Sequence, residues 1–397
     1  MTTQTSPSTV ADNAHDTIVG NAANHAVAKA PEYVRAIAPY VGGKPIEEVA
    51  RELDLDPASI VKLASNENPR GASPKVKAAI ARALADLTRY PDGNAYALKA
   101  ALAARRNVRP EQIVLGNGSN DVLELATQAF LRPGDHAVHS QYAFIVYPLA
   151  TKARGATGIE VPARDYGHDL DAMLAAITPR TRMVFVANPN NPTGTWLAGD
   201  VVERFVARVP RDVIVVIDEA YDEFLEPSDH SNAIAWIARF PNLIVSHTFS
   251  KAHGLAALRI GYGVMDEAIA DLLNRVRQPF NVNSLAQAAA LAALEDADYV
   301  EESRRINREG MRRIEAGLRA LGIRFLPSHG NFVLIEVGNA HAVFDKMLRL
   351  GVIVRPVANY NLPTWLRITI GTPPENERFL DALARSISPS NDTARAH

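Results

Sequence analysis

The sequence predicts an α/β protein with two domains: a large one on a mostly parallel seven-stranded sheet between helices, and a smaller α+β one. Three observations predict it. Between 113 and 264, strand-length apolar runs alternate with helix-length amphipathic stretches, the pattern of a parallel sheet covered on both faces. Val213-Ile-Val-Val-Ile217 is an unbroken β-branched run, as expected of a strand buried on both sides. After 324, strands over 331–337, 352–355 and 366–370 are interleaved with helices over 340–350 and 375–386, suggesting antiparallel strands with helices on one side.

Taken in order, residues 1–30 are rich in Thr, Ala, Asn and Ser, with no basic residue before Lys29 and no apolar core of a signal peptide. They read as a disordered tail with little to bury, and the cytoplasm is the expected compartment. Residues 31–70 form an N-terminal arm and part of the smaller domain, marked by Pro39, Gly42, Gly43 and Pro45, a helix over 46–53 and a turn at 68–71. The large domain, 71–285, opens with helices over 74–87 and 96–105, broken at Tyr90-Pro-Asp-Gly93. Strands are expected over 113–115, 136–138, 157–161, 183–187, 213–217, 243–245 and 260–265, with helices over 122–130, 144–154, 170–176 and 201–209 between them. A helix over 284–294 leads into a long charged helix, 299–321, of the smaller domain (286–390), and 391–397 is a flexible tail. No internal repeat is visible.

At 397 residues and 47% hydrophobic composition, the chain can bury two cores. A formal net charge of −2 and the lack of a basic stripe argue against nucleic acid, and no apolar run is long enough to span a membrane. With no cysteine, disulfides, thiolate nucleophiles and cysteine-ligated zinc are excluded. Eleven histidines include His247 and His253, but no ligand triad has metal-site spacing, so no metal is expected. No G-x-S-x-G elbow supports a serine hydrolase.

The chemistry centres on Ser246-His-Thr-Phe-Ser-Lys251-Ala-His-Gly-Leu-Ala-Ala-Leu-Arg259. A lysine amine that is desolvated or set near other cations becomes a nucleophile toward an aldehyde. Pyridoxal phosphate offers that aldehyde, and Thr248, Ser250 and Arg259 can hold its phosphate. Lys251 alone would read as a surface lysine; its companions reverse that reading. Asp218 ends a buried strand, where function collects in such sheets, and a carboxylate there can pair with a protonated pyridine nitrogen. Tyr221 can reach the ring's phenolate oxygen. For Asp218 alone a helix cap or turn is an equal reading. Asn188-Pro-Asn-Asn191-Pro-Thr-Gly194 makes a rigid turn that can fix Asn191 as a donor to the cofactor, or a plain loop. At Gly116-Asn-Gly-Ser119-Asn120, a strand passes into a helix whose first N–H groups form an anion site.

In order and spacing, these motifs resemble the fold type I pyridoxal-phosphate-dependent transferases, specifically the aminotransferases. Ala38-Pro-Tyr40-Val-Gly-Gly-Lys-Pro45, Leu63-Ala-Ser-Asn66-Glu-Asn-Pro69, Arg89-Tyr90-Pro-Asp92, Gly351-Val-Ile-Val-Arg355 and Leu366-Arg367-Ile-Thr-Ile-Gly371 are similar to those of histidinol-phosphate aminotransferases, over roughly 31–390. The resemblance implies an antiparallel last sheet strand, an aromatic stacked on the pyridine at Phe144 (with Tyr142 as competitor and core packing as the plain reading), and a homodimer in which Tyr90 crosses to the partner's phosphate. It also implies Arg367 on the substrate α-carboxylate. By its place in an apolar strand, Arg367 reads equally as a buried ion-pair partner. Arg355 is implied to grip a substrate phosphate or the side-chain carboxylate of glutamate, with Tyr40 and Asn66 as further substrate contacts.

The implied reaction is a ping-pong transfer of an amino group between glutamate/2-oxoglutarate and imidazole acetol phosphate/histidinol phosphate, with Lys251 as the proton-moving base. Three alternatives remain open on the residues: an aromatic amino-acid transaminase, a threonine-phosphate decarboxylase, and a non-catalytic cofactor-binding regulator. The regulator lacks a DNA-binding module in the first 30 residues.

Overall fold

The computed structural model describes residues 25–40 and 42–388; the expected tails before residue 25 and after residue 388 lie outside them. The described residues 25–40 belong to a unit separate from the rest. There, residues 25–29 are helical, inside the stretch expected to lack structure, and a short helix Glu32–Arg35 follows with no buried residue.

From residue 42 onward the strands are β1 (Val61–Lys62), β2 (Ile113–Gly116), β3 (His136–Ser140), β4 (Thr157–Val161), β5 (Thr181–Ala187), β6 (Ile214–Asp218), β7 (Leu243–Thr248), β8 (Gly261–Met265), β9 (Arg324–Leu326), β10 (Phe332–Glu336), β11 (Val352–Ile353), β12 (Arg355–Pro356) and β13 (Trp365–Thr369). Seven of them form one sheet in the order β2-β8-β7-β6-β5-β3-β4. β8 runs antiparallel to both β2 and β7, as the resemblance implied, and the remaining pairs are parallel.

The β-branched run of β6 is buried on both faces for a visible reason. Val215 and Ile217 pack into one hydrophobic cluster, Ile214 and Val216 into another on the opposite side. Each such side chain contributes about 1.5–3 kcal/mol on burial, so the sheet's centre is held from both sides and its strand ends are fixed. The helices Ser119–Phe130, Gly199–Arg208 and Ser284–Leu294 supply the covering layers.

A four-stranded antiparallel sheet, β12-β13-β10-β9, lies in the C-terminal part. Its core takes Met311, Ile314 and Leu318 from the long helix Ala297–Ala320, at helical spacing. Helices Ala340–Arg349 and Pro373–Ile387 pack there too. β1, which the sequence did not reveal, pairs in parallel with β11. Leu63 then links to Ile353 and Thr369 through its backbone, so the 61–66 stretch travels with the C-terminal sheet.

Two further differences stand out. The helix Glu267–Val276 was not anticipated, although Asp266 caps it by accepting from the Ala268 N–H. The helix expected from 144 begins only at Val146, leaving Phe144 in the loop after β3. Among the described residues, no helix is long and apolar enough to cross a membrane.

Candidate active site

Functional side chains gather at the carboxyl ends of β5, β6 and β7, where parallel sheets place their sites. Register sets Asp218 opposite Ala187 on one side and Ser246 on the other. Both oxygens of the buried Asp218 carboxylate are occupied: Oδ2 accepts from the Tyr147 hydroxyl at 2.8 Å and Oδ1 from the Ser246 hydroxyl at 3.1 Å. Burial raises the Asp218 pKa above the usual carboxylate value, while these two hydroxyls pull it back. Tyr147 is itself fully buried, stacked on Phe185 with ring centroids 4.7 Å apart.

Phe144, partly buried, meets the Tyr147 ring edge-on at 5.8 Å, which places it one residue away from Asp218. Tyr142 turns elsewhere, stacking on Tyr166, which in turn meets Trp365. Tyr221 is buried, and its hydroxyl oxygen accepts from Asn66 Nδ2 at 2.8 Å. Burial pushes its phenol up to about 12 against the opposing pull of Arg367.

Lys251 follows the short turn after β7. Its Nζ donates to the Ser65 carbonyl at 3.0 Å and lies 5.8 Å from the centre of the Tyr221 ring. Desolvation, followed by the Arg367 charge, lowers the amine to about 7. A lysine in that state is about half free base at neutrality, the form in which it attacks a carbonyl or takes a proton.

Arg367, buried on β13, donates from Nη1 to Asn191 Oδ1 at 2.6 Å and from Nη2 to the Ala64 carbonyl at 2.8 Å. The NPNNPTG turn therefore holds the arginine through Asn191, whose oxygen is committed and whose Nδ2 is the group left to donate. Both Asn-Pro peptides in that turn are cis. Arg355 on β12 is the direct cross-strand partner of Arg367. Asn66 has its side chain engaged with Tyr221 and Thr369 and adopts a left-handed φ of 54°, so it positions Tyr221.

At the start of the helix Ser119–Phe130, Gly118 has a positive φ of 86°, and a Cβ there would collide with Arg259 Nη2. A Cβ on Gly261 would collide with the Ser119 backbone nitrogen. The two glycines thus let Arg259 lie over a helix start whose first N–H groups have no intrahelical acceptor. Arg259 Nη1 is 3.4 Å from Ser250 Oγ. Thr248 Oγ1 accepts from the Ser250 N–H at 3.1 Å and so shapes the turn. Arg259, Ser250 and the Ser119 and Asn120 backbones form an anion cup, and with Lys251 and Asp218 they fit a phosphorylated pyridine aldehyde.

Of the predicted residues in the same unit, Tyr90 stands outside this cluster. Tyr90 is 82% exposed and stacked on Phe280 at 4.8 Å. Tyr40 is exposed and belongs to the N-terminal unit. Sequence reasoning missed Tyr147 and Ser246, the two hydroxyls on Asp218. Tyr147 carried a faint signal, three residues after Phe144 on the same helical approach.

The family model for class I and II aminotransferases matches residues 58–383. A relative in Pseudomonas fluorescens (strain Pf-5), histidinol-phosphate aminotransferase 2, is 60% identical over 356 residues, covering 89% of this chain and 96% of the relative. The chain belongs to the histidinol-phosphate aminotransferases within that family. One from Methylobacillus flagellatus is 58% identical over 90% of this chain and 97% of its own length. Among solved structures, histidinol-phosphate aminotransferase from Sinorhizobium meliloti, in complex with pyridoxal-5'-phosphate, has a TM-score of 0.84 at 30% identity. That match covers 90% of this chain and 97% of the other. An aspartate aminotransferase from Thermus thermophilus gives 0.77 at 27% identity, over 90% and 99%. The α/β fold with its mostly parallel central sheet is that of the fold type I aminotransferases, and the chain is an aminotransferase.

Proposed function

We propose that this chain transfers an amino group between glutamate/2-oxoglutarate and imidazole acetol phosphate/histidinol phosphate, with pyridoxal 5'-phosphate as cofactor. The observation that carries the substrate class is the pairing of Arg355 with Arg367 directly across two strands. Two arginines facing each other across a strand pair suit a doubly charged phosphate, such as that of histidinol phosphate, or the carboxylates of glutamate. Arg367 offers a forked donor to the α-carboxylate of glutamate, a group histidinol phosphate lacks. Arg355 offers one to the phosphate of histidinol phosphate or, in the other half-reaction, to the second carboxylate of glutamate.

Ser119, Asn120, Ser250 and Arg259 hold the cofactor phosphate, Asp218 the pyridine nitrogen, Tyr221 and Asn191 the ring's oxygen side, and Phe144 the ring face. Bound there, the cofactor supplies an electron sink for charge developing at the substrate α-carbon. Asp218 sustains that sink by keeping a positive charge on the pyridine nitrogen. Tyr147 and Ser246 hold the carboxylate in place. Lys251 Nζ, in its unprotonated form, removes the α-proton, and Ser65 and Tyr221 keep it within reach. Glutamate and histidinol phosphate use the same site in turn, so the kinetics are ping-pong.

The working enzyme is proposed to be a cytoplasmic homodimer, with the 31–70 arm and 286–390 making the smaller domain and 71–285 the larger. Leu84, Leu87, Tyr90, Tyr96 and Phe280 are all exposed, and Tyr90 stacks on Phe280. Covering such apolar side chains favours a second copy, whose phosphate cup Tyr90 would complete.

A single-turnover assay tests the substrate. The cofactor-loaded protein is mixed with histidinol phosphate or phenylalanine, and conversion of the cofactor to its amine form is followed by absorbance. Rapid conversion by histidinol phosphate and slow conversion by phenylalanine is expected; the reverse ranking makes the chain an aromatic transaminase.

A further inference from the structure

Strand alternation gives the ends of β6 and β7 a second face. Asp218 and Ser246 meet on one side; Glu219 and His247, the next residues along, meet on the other, with His247 Nε2 at 3.2 Å from Glu219 Oε2. The turn after Tyr221 then brings in Asp222. One donor atom from each of Glu219, Asp222 and His247 lies within 4.8 Å of the other two, and all three residues are buried. His247 is only 1% exposed, and neither ring nitrogen is in hydrogen-bond geometry with any partner. Ser231 donates to Glu219 Oε1, which leaves Oε2 facing His247.

We propose that Glu219, Asp222 and His247 bind a divalent metal ion of the zinc class, which pins the strand ends carrying Asp218 and Ser246. The donor set is one imidazole and two carboxylates, the mixed N/O set such ions take. With metal–ligand bonds near 2.1 Å, tetrahedral neighbours sit roughly 3.4 Å apart, close to the spacing of His247 Nε2 and Glu219 Oε2. Glu219 and Asp222 also border a cavity of about 700 Å³, which leaves room for water in a fourth position.

A neutral His247 imidazole offers one ring-nitrogen lone pair to a metal. Glu219, Asp222 and Glu223 all border that cavity. The cations facing them are Arg106, which bonds Tyr262, and His230, 2.8 Å from Asp222 Oδ2. A divalent ion would compete with the His230 contact. The ligands are not spaced as a linear metal motif, because Glu219 and His247 meet only through the register of two parallel strands.

Cobalt and zinc test the site without reference to amino transfer. The full chain, loaded with cofactor, stripped with a chelator and desalted, is titrated with Co²⁺ and then Zn²⁺. One equivalent of cobalt should produce the visible bands of low-coordinate Co²⁺, and zinc should bleach them. H247Q and E219Q should each lose the bands, and H253Q should keep them. Zinc should raise the thermal midpoint of the unaltered chain and not of H247Q. If H247Q fails to fold by circular dichroism, E219Q and D222N carry the same comparison. The absence of bands at one equivalent, or bands that survive both H247Q and E219Q, overturns the proposal and leaves the aminotransferase reading untouched.

Discussion

Tyr147 donates its hydroxyl hydrogen to Asp218 Oδ2 at 2.8 Å, across 71 positions of sequence and two strands of the sheet. The bond fixes the carboxylate's rotation, and Ser246 fixes its other oxygen. Tyr147→Phe removes the bond but keeps the ring stacked on Phe185. A hydrogen bond to a charged group contributes about 1.5–3 kcal/mol, so kcat should fall by roughly 10- to 100-fold while the fold survives. Stopped-flow turnover, with circular dichroism as control, checks this. A turnover equal to that of the unaltered chain would remove Tyr147 from the site.

Asp218→Asn should cost more, because a neutral amide cannot sustain a positive charge on the pyridine nitrogen. We expect cofactor to bind and turnover to fall by at least 100-fold. Unchanged turnover with bound cofactor would show that the carboxylate is a cap for the turn after β6 and nothing more.

Lys251 gives a pH signature. Its folded-state pKa is about 7, against an ordinary 10.5, through burial and Arg367. Between those values the unfolded chain binds a proton that the folded chain does not, so this residue makes stability rise with pH across that window. Lys251→Met removes the term. In cofactor-free protein, the variant's advantage in thermal midpoint should be largest below pH 7 and shrink steadily toward 10.5. A difference that does not change with pH would place the amine in solvent.

The sequence carried the sheet and most of the site because its signals were local. A β-branched run ending in Asp218, a Pro-rich turn holding Asn191 and an arginine set in an apolar strand can each be read within a dozen residues. What stayed hidden depended on tertiary placement. Tyr147 matters only because its helix aims it at Asp218, and Asn66 proved to hold Tyr221 through a partner 155 positions away. The helix Glu267–Val276 had a usable signal in its Asp266 cap and its Ile269, Ala270 and Leu273 stripe. β1, at two residues, has too little sequence to show a period.

The arginine pair should separate the two ends of the substrate. Arg355→Gln removes one charged donor, so KM for histidinol phosphate should rise by roughly 10- to 100-fold, with a small change for phenylalanine. Arg367→Lys keeps the charge but loses the fork that Asn191 orients, and should weaken phenylalanine and glutamate, which carry an α-carboxylate, more than histidinol phosphate, which carries none. Steady-state kinetics with both donors distinguishes the two patterns; equal losses for both donors in Arg355→Gln would detach that residue from the phosphate.

Tyr90 tests the proposed dimer and its role in it separately. Its ring lies on Phe280, and both are exposed in the single chain. Tyr90→Phe preserves the stack and its apolar surface while deleting the hydroxyl. We expect sedimentation as a dimer but faster loss of cofactor on dilution, because one donor to the partner's phosphate is gone. Phe280→Asp places a charge in the middle of the same surface, where an unpaired carboxylate is costly to bury. It should shift the chain to a monomer and weaken cofactor retention with it, since each phosphate cup then lacks the tyrosine from the other copy. Sedimentation velocity and cofactor fluorescence read the two effects independently. A dimer that tolerates Phe280→Asp would move the interface to another face, and full cofactor retention in Tyr90→Phe would confine Tyr90 to packing.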